Sequence, residues 1–250
     1  MNGLRYAGWE VLAPPPLSRE KGRRRMASSL PISSYMSTDR QEAFIRANTS
    51  LLSPPLVPEI KLYLAEESIP IWQKTEEELG EINVPPPFWA FAWAGGQALA
   101  RYVLVHPGVC NGKRILDLGA GSGMTAIAAM LTGAASATAA DIDAFAVAAC
   151  RANADANRVT FDVTSEDVLR RPPSAFDVIL VGDLFYERTL AERVGDFIEA
   201  SKALGATVLI GDPQRSYFPR GRFTLVGEYQ VPVTRELEDS LIKETAVWQA

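Results

Sequence analysis

The sequence has few of the residues that build disulfides and metal centres. Among its 250 residues, Cys110, Cys150 and His106 are the only cysteines and the only histidine. Two cysteines cannot build a disulfide framework, and one histidine without a nearby thiol is a poor zinc set. We therefore expect two reduced cysteines that fill space, an intracellular protein and no metal.

Long apolar runs are also missing. No stretch contains eighteen unbroken apolar residues, and the richest, 125–140, is mostly alanine interrupted by threonine, glycine and serine. Because a helix needs about 20 apolar residues to cross a bilayer, no membrane span is predicted. With 47% hydrophobic and 22% charged residues, the chain has the composition of a soluble globular protein.

Positive charge is concentrated at the start of the chain. Residues 1–36 contain six basic and two acidic side chains, although the whole chain has a formal net charge of −5. The remainder is therefore acidic, which argues against nucleic-acid binding and favours a partner that presents lysines. Because 1–36 shows no apolar periodicity and includes three consecutive prolines, it is predicted to be a disordered basic leader.

Strands and helices alternate regularly after Gly112. Such alternation is typical of a parallel sheet covered by helices on both faces. The predicted strands are 114–117, 137–141, 159–163, 177–182, 207–211, 222–233 and 243–249, and the predicted helices are 124–131, 145–157 and 188–204. Residues 37–95 are predicted to be a helix-and-strand segment with an aromatic lid, followed by a domain over 96–250 that opens with a helix.

A glycine-rich loop follows the first predicted strand of this domain. The segment Asp117–Gly123 has the pattern Asp-x-Gly-x-Gly-x-Gly, and its glycines permit positive φ and close approach of the backbone to a ligand. A loop for pyrophosphate places its third glycine one position later. The acid Asp117 suits a ligand with a positive amino group, as in S-adenosylmethionine. The pattern therefore predicts an S-adenosylmethionine-dependent methyltransferase, with S-adenosylhomocysteine as the product.

Acidic residues follow the next two predicted strands. Asp141, 20 residues after Gly121, is placed to accept hydrogen bonds from both ribose hydroxyls, with Asp143 as the alternative. Asp167 is placed to meet the adenine amino group, with Glu166 as the alternative. The full predicted cofactor-binding set is Trp93, Asp117, Gly119, Ala120, Gly121, Gly123, Asp141, Ile142, Asp167 and Val168.

An acid and a tyrosine follow the fourth predicted strand. Ligands of open α/β sheets bind outside the carboxyl ends of the strands, so Asp183 and Tyr186 are expected to face the transferred methyl group. Their spacing resembles the Asp-x-x-Tyr signature of one group of protein lysine methyltransferases. We predict that both are catalytic, with Asp183 holding a lysine ammonium. Trp89 and Phe185 are predicted to bind substrate, with core packing as the alternative for Trp89.

The chain resembles the electron transfer flavoprotein β-subunit lysine methyltransferase family, within the seven-β-strand class. The resemblance spans about residues 51–250. It rests on the aromatic–Gly-Gly-Gln segment 87–99, on 117–123, 141–143, 183–186 and 211–217, and on the tail 231–239. Ala94 departs from the Trp-Pro pair of the family.

The resemblance implies a Rossmann-like, seven-stranded class I methyltransferase sheet with a short N-terminal extension. It also implies methylation of a lysine on the β subunit of the flavoprotein. The enzyme is expected to be a monomer, in the cytoplasm of a bacterium or the mitochondrial matrix of a eukaryote.

Three other functions stay open at this point. A ribosomal-protein lysine methyltransferase is one, because the acids at 141–143 followed by Asn153 and Asn157 are similar to that group. A small-molecule amine methyltransferase is the second. The third is a non-catalytic binding module on a methyltransferase scaffold, because a fold alone does not determine function.

Overall fold

A computed structural model describes residues 37–66, 86–173, 176–233 and 241–250, together with 5–6, 9–10, 70–71 and 73–74. Its helices are α1 (Thr38–Asn48), α2 (Ala94–Val105), α3 (Met124–Leu131), α4 (Ala144–Ala156) and α5 (Arg188–Ala203). Its strands are β1 (Arg5–Tyr6), β2 (Trp9–Glu10), β3 (Ser50–Leu52), β4 (Leu62–Leu64), β5 (Arg114–Leu118), β6 (Ser136–Ala140), β7 (Asp162–Thr164), β8 (Val178–Gly182), β9 (Thr207–Asp212), β10 (Thr224–Pro232) and β11 (Ile242–Gln249). In the described part of the chain, no helix is long and apolar enough to cross a membrane.

The described residues form one seven-stranded sheet with the order β10-β11-β9-β8-β5-β6-β7. Strands β5 to β9 run parallel to one another, whereas β11 pairs antiparallel with both β9 and β10. Alternate residues of the central strand pack on opposite faces. Ile115 joins the cluster formed with α2 and α3, and Leu116 joins the cluster formed with α5. The predicted class I methyltransferase sheet, with helices on both faces, is therefore confirmed.

Several predicted bounds differ from the structure, and two of the differences have a clear consequence or cause. The third strand begins at Asp162 rather than at Val159, because the Val159 N–H still donates to Ala154 O at the end of α4, 3.1 Å away. Helix α2 begins at Ala94 rather than at residue 96, so Ala94 at the family's Trp-Pro position lies in its first turn. Most of the predicted disordered leader, 1–36, lies outside the described residues. Within it the structure describes only the short antiparallel pair β1–β2.

The order of the strands reverses on either side of β5, which creates a cleft at the carboxyl ends of β5 and β8. The first turn of α2 lies across the ends of β8 and β9. A Cβ atom added to Gly95 would collide with Gly211 O and would come within 2.5 Å of the Asp183 carboxylate. A Cβ atom on Gly182 would lie 3.3 Å from Gly96 Cα. Helix and sheet therefore approach each other in backbone contact at this point.

Buried amides attach the N-terminal segment to the domain. Gln97 Nε2 donates to Ala92 O (2.8 Å), and Gln97 Oε1 accepts from Leu56 N (3.2 Å). Asn153 Oδ1 accepts from Tyr63 N (2.7 Å), while its Nδ2 donates to Ser122 O (2.8 Å). Residues 50–64 are therefore held against α2 and α4 by side chains that belong to the 96–250 domain.

The backbone contact at Gly95 generates a test of stability. Gly95→Ala is expected to lower the free energy of unfolding by about 1–3 kcal/mol, because the added methyl group overpacks a site that has no room for it. Gly195→Ala is the matched control, since a Cβ atom at this position in α5 meets nothing within 4 Å. That variant is expected to gain about 0.5–1 kcal/mol from helix propensity. Urea unfolding of both variants measures the difference, and equal effects would contradict the close packing.

Candidate active site

The glycine-rich loop turns sharply between β5 and α3. Gly119, Gly121 and Gly123 have φ values of 64°, 53° and 76°, a region that residues with a Cβ atom rarely adopt. At Gly123 space is limiting as well, because a Cβ atom there would lie 3.0 Å from Cys150 Sγ. The Cys150 thiol donates to Gly121 O (3.5 Å) from beneath the loop. Burial raises its pKa well above the ordinary value, as expected for a cysteine that fills space.

The carboxylates of buried Asp117 and half-buried Asp141 hold the loop in place. Asp141 Oδ2 accepts from Gly121 N (2.8 Å), and its Oδ1 accepts from Asp143 N (3.0 Å). Asp117 Oδ2 accepts from Ala126 N (3.0 Å) in the first turn of α3. Burial raises the pKa of Asp117 to about 7 and that of Asp143 to about 6. A positively charged ligand beside them would offset the cost of their ionisation.

A cavity of about 470 Å³ opens beside the loop, at the carboxyl ends of the parallel strands. Its wall includes every predicted cofactor-binding residue except Gly123. Gly123 precedes α3 and packs against Cys150. The acidic residues in the wall are Asp117, Asp141, Asp143, Glu166, Asp167 and Asp183, and the basic ones are Arg193 and Arg215. A ligand in this cavity therefore meets an excess of negative charge.

Asp183 and Tyr186 enter the same cavity from the end of β8. Asp183 adopts a left-handed backbone conformation, with φ of 56°. Its Oδ2 accepts from Gly96 N at the start of α2 (3.1 Å), where the helix dipole favours negative charge. Its Oδ1 accepts from Arg215 Nε (2.9 Å) and Nη2 (2.7 Å).

Arg215 is a residue that the predicted site did not include. Its guanidinium is 11% exposed and lies 5.8 Å from the centre of the Trp93 ring. Its backbone N–H donates to Asp212 Oδ1 (2.6 Å), so a second acid positions it. Arg215 lies 32 residues after Asp183, on the loop that follows β9. The only indication of it in the sequence was the segment 211–217, which resembles the family.

The aromatic residues are arranged differently from the prediction. Phe88 lies 5.7 Å from both Trp93 and Tyr186, measured between ring centres, and these three rings line the cavity. Trp89 touches the cavity but is 1% exposed and stacks on Phe145 in the core. Phe185 is also 1% exposed, and it packs on Phe218 and Phe223, away from the cavity. The structure therefore does not bring Phe185 to the predicted substrate site, and Phe88 lies there instead.

The predicted adenine-binding acid is already ion-paired. Asp167 Oδ2 lies 2.7 Å from Arg193 Nη2 and 3.0 Å from Arg170 Nε. Arg193, on α5, was not predicted, because its helical position gives no indication that it faces a cavity. Ile142 and Val168 lie in the wall nearby, and Ile142 is 74% exposed. Among the described residues, no group of histidine, cysteine or acidic side chains is arranged to hold a metal ion.

Comparisons with known proteins identify the family. The chain is 36% identical over 225 residues to the electron transfer flavoprotein beta subunit lysine methyltransferase of Danio rerio, covering 87% of this chain and 86% of the relative. The human protein of the same name is 35% identical over 214 residues, covering 83% and 80%. This chain belongs to the electron transfer flavoprotein β-subunit lysine methyltransferase family. The family predicted from the sequence, and with it a methyltransferase enzyme, is confirmed.

Two further comparisons match part of the chain. The family model for ribosomal protein L11 methyltransferase (PrmA) matches residues 97–207, which is the central part of the sheet. The crystal structure of a Pyrococcus horikoshii protein assigned as an RNA methyltransferase superimposes with a TM-score of 0.50 at 17% identity, covering 67% of this chain and 89% of that one. At that identity the structural likeness shows the fold alone.

The raised pKa values of the buried acids generate a test of stability against pH. Asp117 titrates at about 7 in the folded protein, compared with roughly 3.9 in an unfolded chain. The folded state therefore keeps a proton that the unfolded state releases, so the stabilisation is complete below about pH 4 and is lost as the pH rises through about 7. Asp117→Asn is expected to flatten the decline of the melting temperature across this window.

Asp177→Asn serves as the control for that measurement. Hydrogen bonds from Arg114 lower the pKa of Asp177 to about 2, so this side chain is ionised in both states from about pH 5 to 7, which is most of the window. Its replacement is expected to leave the slope in that window unchanged. The same slope in wild type and Asp117→Asn would show that the Asp117 carboxyl does not titrate as described.

Proposed function

We propose that this protein transfers the methyl group of S-adenosylmethionine to a lysine on the β subunit of an electron transfer flavoprotein. The observation that carries the proposal is the entry of Asp183 and Tyr186 into the same acidic cavity as the loop Asp117–Gly123. The relatives that match over most of this chain carry that activity in their names.

The residues of the cavity fit S-adenosylmethionine, which is cationic at sulfur and at its amino group. Asp117 and the loop that follows it would receive the amino-acid part, and Asp141 would accept hydrogen bonds from the ribose. Asp167 and Val168 would face the adenine. The rings of Phe88 and Trp93 would lie near the sulfonium, where each cation–π contact contributes about 0.5–2 kcal/mol. The bound compound supplies an electrophilic methyl group.

A lysine acceptor must lose a proton before it can attack. With an ordinary lysine pKa near 10.4, only about 0.1% of the side chain is neutral at pH 7.4, which corresponds to roughly 4 kcal/mol. Asp183 would receive the ammonium by a charge-assisted hydrogen bond, and water would take the proton. Burial, with Asp141 and Glu187 nearby, raises the pKa of Tyr186 to about 12. The phenol therefore remains protonated and would orient the amine rather than act as a base.

The match to ribosomal protein L11 methyltransferase raises a second candidate acceptor, a lysine of a ribosomal protein. This match supports it less strongly than the longer matches support the flavoprotein. A curated member from Symbiobacterium thermophilum is 37% identical over 98 residues, which is 38% of this chain. Asn153 and Asn157, which resemble that group, accept hydrogen bonds from Tyr63 N and Lys61 N, so both asparagines have a structural role here. The family model of that group covers residues 97–207, whereas the flavoprotein relatives cover 83–87% of the chain.

Substitution of two acids separates acceptor binding from cofactor binding. Asp183→Ala is expected to abolish methylation of purified flavoprotein β subunit while its affinity for S-adenosylhomocysteine stays nearly unchanged. Asp141→Ala is expected to weaken cofactor binding by about 1–3 kcal/mol, the scale for loss of a buried hydrogen-bond partner. Calorimetry with S-adenosylhomocysteine and mass spectrometry of the flavoprotein measure the two effects. Normal turnover by Asp183→Ala would refute its proposed role.

Arg215→Lys tests whether the guanidinium positions Asp183. Lysine keeps the charge but cannot make the paired contacts from Nε and Nη2, so turnover is expected to fall by about tenfold with cofactor affinity retained. Arg222→Lys is the control, since Arg222 contacts the exposed Glu199 outside the cavity. If both variants methylated the flavoprotein at the wild-type rate, Arg215 would not be a positioning residue.

A further inference from the structure

A second cavity of about 410 Å³ lies at the edge of the sheet formed by β9, β10 and β11. Strand register places its acids on one face. Asp212 pairs with Ala246, Ala246 pairs with Glu228, and Glu244 pairs with Gln230, and paired residues project from the same side of a sheet. The wall consists of Asp212, Pro213, Gln214, Glu228, Tyr229, Gln230, Glu244, Thr245 and Ala246. It contains three carboxylates and no basic side chain among the described residues.

One oxygen of the Asp212 carboxylate, in the wall of this cavity, lacks a hydrogen-bond donor within the described part of the chain. Asp212 is 0% exposed, and its Oδ2 atom has no hydrogen-bond partner among the residues that the structure describes. Burial and the nearby Asp183 raise the pKa of Asp212 to about 7. A buried carboxylate oxygen without a hydrogen-bond donor is costly, and a cationic donor is the group that offsets this cost best. Glu228 and Glu244, both exposed, add negative charge at the mouth.

One residue joins this cavity to the reacting end of the first. The other oxygen of Asp212 accepts from Arg215 N, and the Arg215 guanidinium donates to Asp183. Strand β11 also continues past the end of β9, because Ala246 pairs with Asp212 while Glu244 lies two residues beyond. The second cavity is therefore on the same edge of the sheet as the first, at the carboxyl end of β9.

We infer that this second cavity binds a lysine or arginine side chain of the protein substrate, next to the lysine that is methylated. The inference rests on the proposed function for its choice of a protein acceptor. It gives the enzyme a preference for a lysine with a basic neighbour, since a cation at Asp212 would hold the substrate while Asp183 receives the acceptor amine. The site provides recognition only, and no group is transferred there.

Binding of a small cation tests the cavity without any methylation. The probe is Nα-acetyl-argininamide, titrated into ¹⁵N-labelled enzyme while the amide signals of β10 and β11 are followed by NMR. Saturable shifts are expected in the wild type, with affinity reduced about fivefold in the Glu228→Gln/Glu244→Gln variant, the scale for loss of exposed ion pairs. The control variant, Glu192→Gln/Asp196→Asn, removes the same charge from exposed positions of α5 and is expected to bind like wild type. The inference would be overturned if the wild type showed no saturable shifts, or if the Glu228→Gln/Glu244→Gln variant and the control variant bound the probe with equal affinity.

Kinetics with the flavoprotein β subunit locate the partner side chain. Each lysine or arginine near the methylated residue is replaced by glutamine in turn. One such replacement is expected to raise KM by about fivefold with wild-type enzyme but not with Glu228→Gln/Glu244→Gln, with kcat unchanged. Strictly additive effects at every position would overturn the inference. If wild-type enzyme does not methylate the flavoprotein at all, the proposed function fails, and the NMR titration still decides whether the cavity binds a cation.

Discussion

The backbone contact between the first turn of α2 and the ends of β8 and β9 determines the geometry of the reacting end. Gly95 and Gly96 lie against Gly182 and Gly211, and a Cβ atom on Gly95 or Gly211 would collide with a backbone oxygen of the other. That approach brings the Gly96 N–H to the Asp183 carboxylate, and the left-handed conformation of Asp183 directs its side chain toward the helix. The Gly-Gly-Gln sequence that resembles the family is explained by the same contact, because Gln97 ties the N-terminal segment to this turn.

Electrostatics is the second organising constraint. Six acids and two arginines line the first cavity, and both arginines pair with acids there: Arg193 with Asp167, and Arg215 with Asp183. The arginines fix the carboxylates in position without cancelling the negative charge of the wall. A site of this kind favours a cationic donor and a cationic acceptor together, which is the combination that methylation of lysine requires.

The sequence predicted the sheet and the turn at the glycine-rich loop well because both depend on local patterns. Apolar runs gave the strands, and Asp117 before three glycines gave the loop. The predicted start of β7 was three residues too early, because the pairing of this edge strand with β6, rather than its apolar content, determines where it begins. Which of Phe88 and Trp89 faces the cavity depends on a single turn of 3-10 helix, which periodicity cannot resolve. Arg215 reaches Asp183 only through the alignment of β9 with β8, a tertiary relation that spacing along the chain does not contain.

The thiol beneath the glycine loop has a consequence for experiments on this enzyme. Cys150 contacts Gly123 and donates to Gly121, is fully buried, and has a pKa far above neutrality. Alkylating reagents react with thiolates that solvent can reach, so they meet Cys150 only when the loop separates from α4. The rate at which Cys150 is alkylated therefore reports how often the loop opens. A ligand that holds the loop closed lowers this rate, and no label has to be introduced to measure it.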